Sequence, residues 1–233
     1  MQIIAFIPAR SGSKRIKNKN IFKINRKPLL VHVIEMLKKT NIFKSIIVST
    51  DSSKIKKIAL KSGASVPSLR KKSLSDDNAT IMDVVKDYCL SIKSPKKKVI
   101  IFCIFPTSIL INKTLVKRAI NKYLEKKYNF LICVRKFNHP IERSFTINKN
   151  RIIEKKTLKN LSKNTQSFEK RYFDLGQFYI GSKENWIKNK QIFTNNTYCF
   201  DLSAHSIFDI DEPNDLNVVK AIFLKNFKSA EKK

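Results

Sequence analysis

The stretch QIIAFIPARSGSKRIKNKN, residues 2–20, decides how the rest of the chain is read. It opens on an apolar run of buried-strand character, QIIAFI, and that run stops at Arg10. Ser11, Gly12 and Ser13 follow, and then the cations Lys14, Arg15, Lys17 and Lys19. The chain has only 4 glycines, and one sits in this turn. Gly12 lets backbone amides turn toward a phosphate, while Arg10, Lys14 and Lys19 add charged donors. A solvated basic turn is the plainer reading. The loop has neither the GK[ST] spacing of a Walker A motif nor a GxGxxG fingerprint, which argues against an ATPase and a dehydrogenase.

Working outward, short apolar strands alternate with helical patterns. Residues 27–40 read as a helix, SIIVST (45–50) as a second strand, and 51–62 as a helix closed by Gly63. Helical spacing of Ile81, Val84, Val85, Tyr88 and Cys89 places another helix over 79–91. VIIFCIF (99–105) is a wholly apolar strand, Asn112 caps a helix over 113–126, and FLICV (130–134) is a fourth strand. QFYIG (177–181) and SIFDID (206–211) read as further strands, before a last helix over 212–227 and a frayed tail. This alternation predicts an α/β fold: a mostly parallel sheet with helices on both faces. Residues 135–171 break the pattern with a polar, basic segment. That segment reads as an insertion within one domain spanning 1–233, either a lid or an arm for self-association.

Composition sets the outer limits. The chain has 233 residues, 42% of them hydrophobic, enough for a sizeable core. The formal net charge of +30 favours anionic partners. The lysines are spread along the chain rather than gathered, so nucleic-acid binding is not the expected function. No apolar run approaches the roughly 20 residues of a bilayer span. With no signal-peptide pattern either, the cytoplasm is the expected location. Four separated cysteines without a CxxC pair read as buried, reduced thiols. His32, His139 and His205 form no zinc or hydrolase pattern.

A second motif lies near the other end. Carboxylates number only 18, yet Asp209, Asp211, Glu212 and Asp215 fall together in FDIDEPNDL (208–216). In an extended segment Asp209 and Asp211 point to one side, as a pair of hard ligands for Mg²⁺ shared with phosphates would. Alternatively, Asp211 caps the helix that Pro213 begins. Thr50 and Asp51 end the second strand; Arg70 and Thr80 lie in the loop VPSLRKKSLSDDNAT (66–80), within reach of a nucleotide or simply on the surface. Gln177 and Tyr179 in DLGQFYIG form a polar pair suited to a polyhydroxylated ligand, or an ordinary turn into a strand.

IPARSGSKRIKNKNI, KPLL, VSTD, VPSLRKKSLSDDNAT and DIDEPND, in that order, resemble the CMP-sugar synthetases (acylneuraminate cytidylyltransferases) that activate nine-carbon acidic sugars. HPIERSF and DLGQFYIG are similar to the pseudaminic acid branch of that family; sialic and legionaminic acid enzymes, the alternative, typically carry an NGAIYI-like stretch. The resemblance implies a Rossmann-like, GT-A-like nucleotidyltransferase, usually a homodimer through the inserted arm. It assigns Arg10, Ser11, Gly12, Ser13, Lys19, Asn20, Arg70 and Thr80 to CTP, with Arg10, Lys19 and Asp211 closest to the chemistry. Gln177, Tyr179 and Arg143 go to the sugar acid, and Asp209 and Asp211 to Mg²⁺. Phe105 stands where sialic acid enzymes carry a substrate-contacting glutamine, which counts against sialic acid. The implied reaction is attack of the sugar's anomeric hydroxyl on the α-phosphorus of CTP. Mg²⁺ would serve in place of a side-chain base.

Overall fold

The computed structural model describes residues 1–93, 98–153 and 164–231, the last five as backbone only. Its centre is a six-stranded sheet in the order β4-β1-β5-β7-β6-β8. Strand β1 (Gln2–Pro8) runs parallel to both neighbours, β4 (Ser45–Ser49) and β5 (Val99–Ile104). Strand β7 (Tyr172–Ser182) is antiparallel to β5 and to β6 (Phe130–Lys136), and β6 runs parallel to β8 (Thr197–Asp201). A small hairpin pairs β2 (Lys23–Ile24) with β3 (Lys27–Pro28). Its two-residue turn, Asn25 and Arg26, has φ of 48° and 62°, which matches the twist of the flanking strands.

Helices start where side chains can satisfy free amides. Ser52 accepts from the Ile55 amide to begin α2 (Ser53–Lys61), and Asn112 accepts from Leu115 to begin α4 (Lys113–Glu125). Thr80 and Asp83 form a reciprocal capping box at α3 (Ile81–Ser91). The other helices are α1 (Leu29–Lys38), α5 (Lys183–Lys188) and α6 (Pro213–Glu231).

Every residue of β5 is buried, and its alternation divides the core in two. Ile100, Phe102 and Ile104 join Leu30, Val33, Ile34, Val116 and Ala119 of α1 and α4. Val99, Ile101 and Cys103 face Met82, Val85 and Cys89 of α3 and Trp186 of α5. A continuous apolar strand is therefore a strand covered on both sides, as the sequence implied.

Four expectations need correction. SIFDID (206–211) forms no strand. The sheet instead ends on β8, from the segment TYCFD, whose burial is too uneven for apolar alternation to reveal. QFYIG is the end of a longer strand, 172–182, which the sheet accepts antiparallel. The last helix runs on to Glu231, through most of the expected frayed tail. Cys199 is exposed, while Cys89, Cys103 and Cys133 are buried.

The segment 135–171 begins with the end of β6 and holds short 3-10 turns at Ile141–Arg143 and Thr165–Ser167; its residues 154–163 lie outside the described residues. Among the described residues, no helix is long and apolar enough to cross a membrane.

Candidate active site

The first loop and the aspartate segment, almost two hundred residues apart, meet at one edge of the sheet. A cavity of about 220 Å³ lies there, lined by Lys19, Asn20, Phe105, Pro106, Thr107, Gly176, Tyr179, Asp209 and Asp211. The edge is the carboxyl end of the parallel strands β1 and β5, where open α/β sheets leave a crevice. Because β7 runs the other way, its early residues Gly176 to Tyr179 reach that same edge, with Phe178 opposite Ile104.

Lys19 links the two halves. Its Nζ donates to the Ile210 carbonyl at 2.7 Å and lies 3.2 Å from Asp211 Oδ1. Arg15 Nη2 donates to the same Oδ1 at 2.8 Å. The Asp211 carboxylate therefore does not cap α6. Asp215, in the first turn of α6, instead reaches back to the entering backbone: its Oδ2 accepts from the amides of Asp211 and Glu212 at 2.8 and 2.6 Å. Asp211 is thereby left free to face the cations and the cavity.

Asp209 is more deeply placed. Burial pushes its carboxyl above the ordinary range, and the neighbouring Asp211 charge adds to the rise. The Ile210 amide, at 2.8 Å, Lys19 and the Thr107 hydroxyl oppose it. Two adjacent carboxylates, one of them costly to ionise alone, suit a hard divalent cation. Among the described residues, no cluster of three or more His, Cys, Asp or Glu could hold a metal unaided. This donor set fits Mg²⁺, which takes one or two carboxylates and draws its remaining ligands from phosphate and water.

The first loop is braced from behind. Asp51 accepts from the Ser11 amide at 2.8 Å and from the Ser11 hydroxyl at 2.6 Å. Burial raises the Asp51 carboxyl, but these hydrogen bonds outweigh it and hold the group below the ordinary range. Asn20 Nδ2 donates to the Arg10 carbonyl at 2.7 Å, and Ser13 donates its amide to the Ser11 carbonyl. Arg10 Nη1 donates to the Asp76 carbonyl at 2.8 Å, while Arg10 and Lys14 both pair with Asp77. A Cβ at Gly12 would meet nothing within 4 Å and the residue does not have positive φ, so the fold itself does not demand glycine there.

Other expected site residues are occupied differently. Arg70 donates to the carbonyls of Ser49 and Leu74, at 2.6 and 3.3 Å, and is half-buried. The Thr80 hydroxyl is engaged in its capping box. The Gln177 side chain is fully buried, with Nε2 on the Leu175 carbonyl and Oε1 without a partner among the described residues. Its neighbour two residues on, Tyr179, does line the cavity. Arg143 lies in the turn Ile141–Arg143 and is not among the lining residues.

Sequence reasoning gave no role to Thr107, Arg15, Asp51 or Asp174. Thr107 lies in IFPTSI directly after β5, the position that strand-end loops give to binding residues, and that placement could have found it. A larger cavity, of about 810 Å³, lies between α1, the loop 109–113 and α6. It holds an ion pair of Lys27 with Glu35, and His32 packed edge-on to Phe223, but no convergent carboxylates. The smaller cavity is the better candidate because both sequence motifs converge on it.

A cation loop after the first strand, facing paired aspartates across the carboxyl edge of an α/β sheet, defines the nucleotidyltransferase class. The fold is similar to that of CMP:2-keto-3-deoxy-manno-octonic acid synthetase, a structure described as complexed with CTP. The TM-score is 0.73 at 14% identity, covering 97% of this chain and all of that one. The chain belongs to the cytidylyltransferase family, whose profile matches residues 4–233. It is 34% identical over 232 residues to the pseudaminic acid cytidylyltransferase of Campylobacter jejuni strain 81-176, covering 99% of this chain and 100% of that protein. An N-acylneuraminate cytidylyltransferase of Streptococcus agalactiae is 28% identical over 226 residues, covering 96% of this chain and 54% of that protein.

Proposed function

We propose that this chain transfers the cytidylyl group of CTP to pseudaminic acid, releasing pyrophosphate. The observation that carries the reading is the cavity where Lys19 of the first loop meets Asp209 and Asp211. Full-length similarity to pseudaminic acid cytidylyltransferases supports the choice of sugar. In this reaction the anomeric oxygen of the sugar forms a bond to the α-phosphorus, the bond to the bridging oxygen breaks, and the hydroxyl proton passes to solvent. Lys19 and Arg15 face the charge that builds on phosphate oxygens. Arg10 and Lys14 exchange the exposed Asp77 carboxylate for phosphate, since a solvated ion pair is a weak competitor. Asp51 keeps the Ser11 amide and hydroxyl in place, so that the loop does not have to reorganise as the ligand arrives.

Asp209 and Asp211 would hold Mg²⁺, which when bound supplies Lewis-acid neutralisation of phosphate charge. Tyr179 and Phe105, packed edge-on with centroids 5.8 Å apart, form the aromatic wall against which the sugar acid lies. The enzyme acts in the cytoplasm as a homodimer. Support for the dimer comes from Ile141, Phe145, Ile147, Ile152, Ile153, Tyr172 and Phe173, large apolar side chains left exposed in and beside the inserted segment.

Pyrophosphate release from CTP, measured with pseudaminic, legionaminic and N-acetylneuraminic acids in turn, tests the substrate. Release only with pseudaminic acid is expected; preference for another acid rejects this choice of sugar, and no release with any rejects the reaction. Sedimentation of the full chain tests the dimer.

A further inference from the structure

Asp174 lies in β7 where that strand slips register against β6, and among the described residues each of its carboxylate oxygens has one hydrogen-bond partner. Oδ1 accepts from the Gly176 amide at 3.0 Å, and Oδ2 accepts from the Tyr179 hydroxyl at 2.5 Å. A carboxylate of aspartate only accepts, whereas a phenol has one proton to give and lone pairs to offer. The direction of the Tyr179 hydrogen bond is thus fixed by the residue behind it. Burial is the first reason that the phenol keeps its proton, and the Asp174 charge reinforces it. The ring is itself packed: Phe105 meets it edge-on at 89°, and Cys103 lies opposite Tyr179 across the ladder.

We propose that Asp174 is a positioning residue that commits the only Tyr179 hydroxyl proton, so that the cavity meets its sugar with a hydrogen-bond acceptor at this point. The inference rests on the proposed reading of the site as a sugar-acid pocket. It adds a polarity to that pocket: the ligand must present a hydroxyl or an amide N–H to Tyr179 Oη, and a carboxylate or carbonyl placed there is rejected. The selection acts by leaving a buried acceptor facing another acceptor, which costs more than a missing contact.

The variant Asp174→Asn inverts the arrangement while keeping size and shape. Its amide N–H donates to Tyr179 Oη, and the phenol proton turns into the cavity. With pseudaminic acid as the varied substrate, KM for the sugar is expected to rise about tenfold, the scale of one misdirected hydrogen bond. KM for CTP stays within about twofold, because the nucleotide loop lies on other strands. In a Tyr179→Phe background the same substitution moves KM for the sugar no further, since nothing remains to be polarised. Equal rises in both KM values, an unchanged sugar KM, or effects that multiply in the double variant would each overturn the proposal.

A readout that needs no sugar separates this proposal from the substrate assignment. The Fermi doublet of tyrosine in ultraviolet Raman spectra distinguishes a phenol that donates from one that accepts. The Tyr179 contribution, taken as wild type minus Tyr179→Phe, is expected to be that of a strong donor. It should change to that of an acceptor in Asp174→Asn. A doublet that does not change overturns the proposal even if the sugar is correctly assigned. A doublet that changes, beside an enzyme inert with all three sugars, leaves the polarity standing and removes the substrate reading.

Discussion

Gly176→Ala is the most informative perturbation because two costs can be worked out separately. Gly176 has φ of +62°, and a Cβ built there lies 3.2 Å from Asp209 Oδ2. A left-handed conformation costs an L-residue roughly 1–2 kcal/mol. The narrower unfolded ensemble of alanine returns about 0.4–1 kcal/mol, so the net loss of stability is about 1 kcal/mol. For a chain of this length that corresponds to a fall of roughly 2–4 °C in Tm. The second cost is geometric. To restore ordinary contact, the Asp209 carboxylate must retreat by a few tenths of an ångström, or the turn must shift by as much. Misplacing a reacting group by about 1 Å costs on the order of 100-fold in rate. A shift of a third of that corresponds to a loss of about 5-fold in kcat, with both substrates still bound. Scanning calorimetry and pyrophosphate-release kinetics on the same preparation read the two effects. Full kcat alongside the expected drop in Tm would refute the idea that Gly176 sets the position of Asp209. An unchanged Tm would refute the claim that the turn requires a left-handed residue.

Further outcomes follow from the same contacts. Asp211→Ala is expected to abolish turnover while circular dichroism stays that of the folded chain, because the backbone entering α6 is held by the Asp215 carboxylate and not by that of Asp211; activity like wild type with Mg²⁺ as the only added metal would sink the metal assignment. In Thr107→Val the hydroxyl that lowers the Asp209 carboxyl is gone, so that group protonates more readily and the acid limb of the kcat/KM profile moves to higher pH; an unmoved limb argues against Asp209 as the titrating group. Asp51 is held below its unfolded value, so its stabilising effect is present above the ordinary carboxylate range and is lost as pH falls through the folded value. Urea midpoints of wild type and Asp51→Ala should therefore differ at neutral pH and converge in acid, and a constant gap would contradict this.

How far the sequence could be read depends on the range of the forces involved. The runs QIIAFI, SIIVS and VIIFCI declared themselves because a strand buried on both faces has to be apolar throughout. Ser52, Thr80 and Asn112 sit where helix starts need acceptors, a requirement satisfied within three residues. SIFDID misled because it forms a loop beside the cavity, whose Ile207 and Ile210 are buried outside any strand. The segment TYCFD gave no signal because β8 is covered only in part: among its residues Phe200 alone is buried, so its other positions are not required to be apolar.

The sequence by itself determined the alternation of strands and helices, the cationic loop after the first strand, and the concentration of scarce carboxylates near the end of the chain. These are local patterns, fixed by side chains that are neighbours along the backbone. Tertiary structure alone decided which charges meet. Lys19 and Arg15 find Asp211, and Thr107 finds Asp209, while Arg70 and Thr80 turn to backbone and cap. It also decided that β7 runs against its neighbours, which brings Gly176 and Tyr179 to the same edge as the aspartates. A hydrogen bond acts over about 3 Å and carries no mark along the chain, so only the folded path of the backbone can select its partners.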